Sequence, residues 1–250
     1  MITAINKFGT KGVCDRVAAI ARQMKVPEYL HIDYVCRACC EAPELAPDMS
    51  LRRKNNLLSP SQCLEKWVEK FLRGYNNRIS CCESNIPSTI PDDAIGIIMK
   101  ARIANLSDAQ VECIVYAHRL AMSAENILGL LLEEFLFEKL SSADWAMAWG
   151  ETIRAVDFCD KNGRLLQIKN RSNSENSSSK KIRKGEPIEK WFRVDAATGQ
   201  YEWDNLAAIT GRRVADLNEV SFQSFIRDTV KRNPKALAIE SENPWQKLRN

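Results

Sequence analysis

The chain has 250 residues, 45% of them hydrophobic and 27% charged, and a formal net charge of +4. That is enough apolar material for a sizeable core, and it excludes a disordered or fibrous chain. The start "MITAINKFGTKGVCDR" has no signal-peptide apolar core, the longest apolar run ("ILGLLL") cannot span a bilayer, and the nine cysteines suit a reducing compartment, so a cytoplasmic protein without membrane contact is expected.

In chain order, "GVCDRVAAIARQM" shows apolar residues at helical spacing, and "PEYLHIDYVCRACCEA" reads as a second helix led by Pro27. The stretch "APDMSLRRKNNLLSPSQ" reads as a loop. Ser59-Pro60 then signals the start of a helix whose stripe carries Leu64, Val68, Phe71 and Leu72. A loop and another helix follow in "NIPSTIPDDAIGIIMKARI". From Ser107 to Leu140 the helical pattern persists, as two helices expected to break near Ser123, the second apolar almost all round and therefore central to the core. After it the period changes: "ETIRAVDFC", "RLLQIKN", "IEKWFRVD" and "QYEWD" read as strands, with turns at "DKNG" and "AATGQ". A last helix, "DLNEVSFQSFIRDTVKRN", stops before Pro234. Helices followed by a small mixed sheet make an α+β or α/β layout, with a helical region over 1–105 and a core over 106–250 in one domain overall.

Positive charge is concentrated. Arg164 to Arg193 holds nine Lys or Arg against three Glu, and Arg52 to Arg78 seven against two, so the rest of the chain is net acidic. Two basic segments on an acidic background point to a polyanion partner.

The hairpin closed by "DKNG" carries the chemistry. Gln167 and Lys169 lie two apart on a strand and share a face, and the antiparallel return brings Asp157 alongside. A carboxylate, an amide oxygen and an ammonium then converge where isolated charge is costly. Hard oxygen donors suit Mg²⁺, and a neighbouring Lys can orient a water or stabilise charge growing on a phosphate. Phosphate-ester hydrolysis demands on the order of 20 kcal/mol of transition-state stabilisation. One electrostatic contact supplies only about 3–4 kcal/mol, so a metal with several ligands is required. The plainer reading of the same residues is a Lys169–Asp157 salt bridge on an ordinary hairpin.

Asp157, the "QIK" after a short hairpin, and the preceding helix with "GLLLEE" together resemble the PD-(D/E)XK nuclease superfamily. The run "LQIKNRSNSENSSSKKIRKGEPIEKWFRV" further resembles its SinI-type branch of restriction endonucleases, enzymes that cut at GG(A/T)CC. The resemblance covers roughly Ala124 to Tyr201. It implies a small mixed sheet flanked by helices, Mg²⁺ held by Glu133, Asp157 and Gln167, and Lys169 as the fourth catalytic residue. Two positions depart from the pattern. Val156 replaces a proline that serves only backbone shape, and Gln167 replaces an acidic residue, so metal affinity leans on Glu133, or on Glu134 or Glu175.

The segment after Lys169 is built of donors. Asn170, Arg171 and Asn173 suit base edges, while Lys180, Lys181, Arg183 and Lys184 suit backbone phosphates; Arg212 and Arg213 are further candidates. His31, Cys36, Cys39 and Cys40, with Cys81 and Cys82, raise a zinc reading, but the C-x2-C lacks a matched second pair and the stretch reads as helix. His118 sits mid-helix without a nucleophile signature, there is no phosphate-binding glycine loop, and Trp67, Trp145, Trp149, Trp191 and Trp203 occupy core-compatible positions.

The expected protein is a Mg²⁺-dependent type II restriction endonuclease, cutting double-stranded DNA at a short palindromic site and acting as a homodimer beside a cognate DNA methyltransferase that is a functional rather than a physical partner. Competing expectations are a repair or defence nuclease without sequence specificity, a non-enzymatic DNA-binding regulator, and a zinc-stabilised interaction protein.

Overall fold

The computed structural model describes residues 1–49, 58–86, 88, 90–172, 188–211, 215–240 and 243. The chain forms two compact units: residues 1–78 with 132–225, and residues 79–131 with 226–250.

The first unit contains a four-stranded mixed sheet. Its strands β1 (Trp145–Met147), β2 (Phe158–Asp160), β3 (Leu165–Arg171) and β4 (Ile188–Val194) lie in chain order. The first three are antiparallel neighbours, and β4 runs parallel to β3. Both faces of β3 are covered: Leu165, Leu166, Gln167 and Ile168 are buried, and only Lys169 and Arg171 come out into solvent. On one face, Trp191 lies in register with Ile168, and its ring packs 5.2 Å from Trp203 of α6 (Trp203–Thr210). Phe222 of α7 (Glu219–Arg232) and Phe135 of α5 (Asp108–Leu140) close the same aromatic cluster. Each such fully buried ring contributes roughly 1.5–3 kcal/mol. All five tryptophans named above are core residues, none more than 7% exposed.

Helices α1 (Ile2–Gln23), α2 (Ile32–Glu41) and α3 (Pro60–Asn76) pack in the same unit. Gly9 breaks α1, its φ of 67° lying outside any helix. The Ser59 signal is realised as a reciprocal cap: the Ser59 hydroxyl accepts from Gln62 N–H at 3.3 Å, Gln62 Oε1 accepts from Ser59 N–H at 2.9 Å, and Pro60 takes the first helical position. Leu64, Trp67, Val68 and Phe71 form the buried stripe of α3.

Between β1 and β2 the chain makes a tight connection that α2 and α3 pin. Trp67 Nε1 and Cys39 Sγ both donate to the Thr152 carbonyl, and Lys70 Nζ donates to the Glu151 carbonyl at 3.0 Å. Gly150 (φ +69°), Glu151 (φ 53°) and Ala155 (φ 61°) are all left-handed here. A Cβ on Gly150 would lie 2.3 Å from the Lys70 carbonyl oxygen, so only glycine lets α3 approach this turn. Gly150→Ala is expected to cost about 2–4 kcal/mol in chemical denaturation. Gly199→Ala has a similar φ of +74° but nothing within 4 Å, and should cost only about 1–2 kcal/mol. Equal losses in the two variants would argue against this packing account.

Three sequence expectations are corrected. No break occurs near Ser123: α5 runs unbroken from Asp108 to Leu140, and Ser123 is buried at 4% exposure. "ETIRAVDFC" is mostly the pinned connection, with strand only from Phe158. "QYEWD" supplies a single bridge, Val194 to Tyr201, before α6 begins at Trp203.

In the second unit, α4 (Asp93–Arg102) is capped by Asp92, whose carboxylate accepts from Ala94 N–H at 2.9 Å. Asn233 Nδ2 donates to the Ile79 and Cys82 carbonyls, tying the end of α7 to the segment after residue 78. Among the described residues, no helix is long and apolar enough to cross a membrane.

Candidate active site

The site is built where the β2–β3 hairpin meets the last turns of α5, from residue 132 on, and these parts all belong to the first unit. Asp157 precedes β2, and its backbone N–H donates to the Leu166 carbonyl at 3.0 Å. Its carboxylate takes the place of a strand carbonyl: Oδ2 accepts from the Ile168 N–H at 2.7 Å. The β2–β3 register pairs Phe158 with Leu166, so the next position outward sets Asp157 opposite Gln167. Ile168, whose N–H donates to the Asp157 carboxylate, lies between Gln167 and Lys169 along β3.

Gln167 is 7% exposed. Lys169, two residues on and on the same face, is exposed. In the parallel register Gln167 pairs with Lys190 and Lys169 with Phe192.

Glu133 and Glu134 part company. Helical geometry turns adjacent residues by about 100°. Glu134 is buried and faces Arg78, whose Nε is 3.4 Å from Oε1. Glu133 instead faces the hairpin, where burial pushes its carboxyl up to about 8; the Asp157 charge adds to the rise and the Lys169 charge opposes it. Burial lifts Asp157 to about 6, against the Ile168 N–H and Lys169, which pull it down. Lys169 therefore tempers both carboxyls without neutralising either, and the Asp157 oxygen goes to a backbone amide, unlike in an ordinary hairpin salt bridge.

Glu151 is the group that sequence reasoning missed. It stands on the left-handed turn after β1, and its charge raises both Glu133 and Asp157. A lone Glu after Trp-Gly carries no pattern, and only the folded turn aims it at the hairpin.

The remaining candidates are dispersed. Asn170 projects to the opposite face of β3, where its Oδ1 accepts from Arg193 Nε at 2.9 Å. Arg193 is held in turn by both oxygens of Glu219 at 2.7 Å, and Trp203 Nε1 also donates to Glu219. The structure thus gives Asn170 a place in a part-buried polar network away from the face of Lys169. Arg171 is exposed at the end of β3, on the Lys169 face. Asn173, Glu175, Lys180, Lys181, Arg183, Lys184, Arg212 and Arg213 lie outside the described residues.

The donor set fits a divalent cation of the Mg²⁺ type. Burial and neighbouring carboxylate charge raise both carboxyls, Glu133 by Asp157 and Glu151 and Asp157 by Glu151, and Gln167 adds a neutral amide oxygen on the adjacent strand. A hard cation lowers both carboxyls and takes such oxygens as ligands.

Comparison with known proteins identifies the relatives of this chain. The model of the SinI restriction endonuclease family matches residues 29–232. The type II restriction enzyme Eco47I of Escherichia coli is 37% identical over 169 residues, covering 66% of this chain and 72% of its own. The type II restriction enzyme SinI of Salmonella infantis is 37% identical over 170 residues, covering 66% and 73%.

Proposed function

Because the chain belongs to the SinI restriction endonuclease family and is a site-specific DNA endonuclease, we propose that it hydrolyses phosphodiester bonds of double-stranded DNA with Mg²⁺ at a short palindromic site, GG(A/T)CC. The observation that carries the metal assignment is the half-buried pair Glu133 and Asp157, each lifted by desolvation and by neighbouring carboxylate charge, beside Gln167 and Lys169. Glu133, Asp157 and Gln167 would hold the Mg²⁺, which supplies Lewis-acid stabilisation of the phosphoryl oxygens. Asp157 keeps one oxygen on the β3 backbone, which fixes its orientation before any ligand arrives. Lys169 orients the attacking water and offsets charge growing on the scissile phosphate. Arg171, exposed on the same strand, would contact the DNA backbone or a base edge. A palindromic target calls for a twofold partner, hence a homodimer, and a cytoplasmic setting with a cognate methyltransferase follows from the same role.

Incubating the purified chain with a plasmid and Mg²⁺, then mapping fragment ends, tests this reading. Discrete fragments with ends at GG(A/T)CC are expected. A smear would favour a nuclease without sequence specificity, and intact plasmid despite DNA binding would favour a non-enzymatic regulator.

A second expectation concerns pH. In the unfolded chain Glu133 and Asp157 release protons near 4.5 and 3.8, whereas the folded chain holds them up to about 8 and about 6. The folded state therefore binds more protons across this window, and the stability these groups contribute is lost as pH rises through about 6 and then about 8. The metal-free melting temperature should fall between pH 5 and pH 8, on the order of 5 °C. Millimolar Mg²⁺ should restore it at pH 8 and do little at pH 5, because the cation must displace those protons. Glu133→Gln should flatten the dependence. A melting temperature that rises over the same interval for these groups, or a Mg²⁺ effect equal at both pH values, would count against the site.

A further inference from the structure

The nine free thiols are not evenly scattered through the fold. Cys39 donates to the Thr152 carbonyl, and Cys63 lies against the Thr3 hydroxyl and the Leu58 carbonyl. Cys113 is exposed on α5, and Cys81 and Cys82 lie in the other unit from α2. Three others converge. Cys36 and Cys40 stand one turn apart on α2, and Cys14 comes across from α1, with the three Sγ atoms all within 4.8 Å of one another. It is the one such triad of His, Cys, Asp or Glu ligand atoms among the described residues. The C-x2-C pair Cys36 and Cys39 suggested by the sequence is not the pair that meets; the helical i,i+4 pair is, and its third member lies 22 residues upstream.

The spacing fits a thiolate-bound ion. An ion held tetrahedrally at about 2.3 Å from each thiolate sets sulfur–sulfur edges of about 3.8 Å. The Cys14–Cys36 separation is 3.8 Å. A disulfide needs about 2.05 Å and consumes two thiols, leaving the third without a role. Cys36 Sγ donates to Cys14 Sγ at 3.8 Å, but S–H is a weak donor and sulfur a weak acceptor, so thiols that only packed as small hydrophobes would gain little from converging in a triad. Cys36 and Cys40 are buried and Cys14 half-buried, so three sulfurs line the inner side of a site whose remaining side opens at Cys14.

We infer that Cys14, Cys36 and Cys40 form a binding site for a soft cation, Zn²⁺ in the first instance, joining α1 to α2, with a water or small anion in the fourth position on the Cys14 side. This ion is distinct from the hard cation proposed at the hairpin. Thiolates select the one and carboxylate and amide oxygens the other. The bound ion would cross-link two helices of the unit that carries the sheet, a structural role independent of cleavage.

The test uses the full chain expressed with zinc in the medium and purified without chelator. Metal content by mass spectrometry should be one zinc per chain for the parent and for Cys113→Ser, whose thiol lies outside the cluster. Cys14→Ser and Cys40→Ser should lose zinc at least about tenfold while keeping the parent's circular dichroism. Replacing zinc by cobalt in the parent should give thiolate-to-metal charge-transfer absorption, which decides the matter even if a variant fails to fold. A folded parent with no thiolate–cobalt band, zinc retained in Cys14→Ser, or a mass two hydrogens lower from a Cys14–Cys36 disulfide would each overturn the proposal.

Discussion

Replacing Lys169 with alanine should leave a folded, DNA-binding protein whose cleavage rate falls by about 10²–10³-fold. The side chain leaves the sheet where β3 emerges from the core, with the buried run ending at Ile168, so truncation opens no cavity. What is lost is a fixed positive charge facing two carboxyls and, in the proposed reaction, the phosphate between them. Removing one such contact costs about 3–4 kcal/mol of transition-state stabilisation and little ground-state binding. The rate constant at saturating DNA should therefore fall while the dissociation constant stays within a few fold. Arginine should not rescue it, because a planar guanidinium presents its charge and donors in a different geometry. Single-turnover cleavage beside a binding titration separates these quantities. A Lys169→Ala protein cutting at the parent rate would remove this residue from the mechanism.

Asp157→Asn should be at least as damaging, roughly 10³-fold in rate, and for a different reason. The asparagine oxygen can still accept the Ile168 N–H, and the volume is unchanged, so the hairpin should hold. The negative charge is gone, however, and Gln167 already contributes none. Glu133 would be left as the single charged ligand among the three assigned. The loss of its neighbour's charge should also let the Glu133 carboxyl fall from about 8. The metal-free variant should consequently melt no lower than the parent at pH 8, and the Mg²⁺ increment there should shrink. Calorimetry with and without Mg²⁺, set beside the cleavage assay, distinguishes this from simple unfolding. A variant that loses activity because it no longer folds, or one that keeps activity within tenfold, would contradict the assigned role.

How far these residues could be read from the chain alone depends on the period of the structure that carries them. Gln167 and Lys169 were legible because β3 is seven residues long and alternation over that length is unambiguous. β1 and β2 are three residues each, too short to show a period, and their positions are fixed by the pinned turn between them. α6 was misread because Tyr201 and Trp203 carry strand preferences; Trp203 is used instead to fill the space over Trp191. The choice between Glu133 and Glu134 could not be made in sequence, since both follow the same leucine run and only the partner Arg78 separates them. Asn170 illustrates the converse. Its residue type suits DNA, but strand parity sends it to the covered face with Arg193. Cys14 and Glu151 had no local signal at all, because each acts on residues that only the tertiary fold brings near.

The bond from the Asp157 carboxylate to the Ile168 amide has a mechanical consequence. It rivets the residue ahead of one strand to the peptide flanked by Gln167 and Lys169, so a tug on the acid is felt directly by the strand bearing the amine. Uptake of the proposed ion and placement of the ammonium would then no longer be separate adjustments. A change that shifts the turn before Phe158 drags both, and selection for a different cation at this corner would drag the turnover rate along with it.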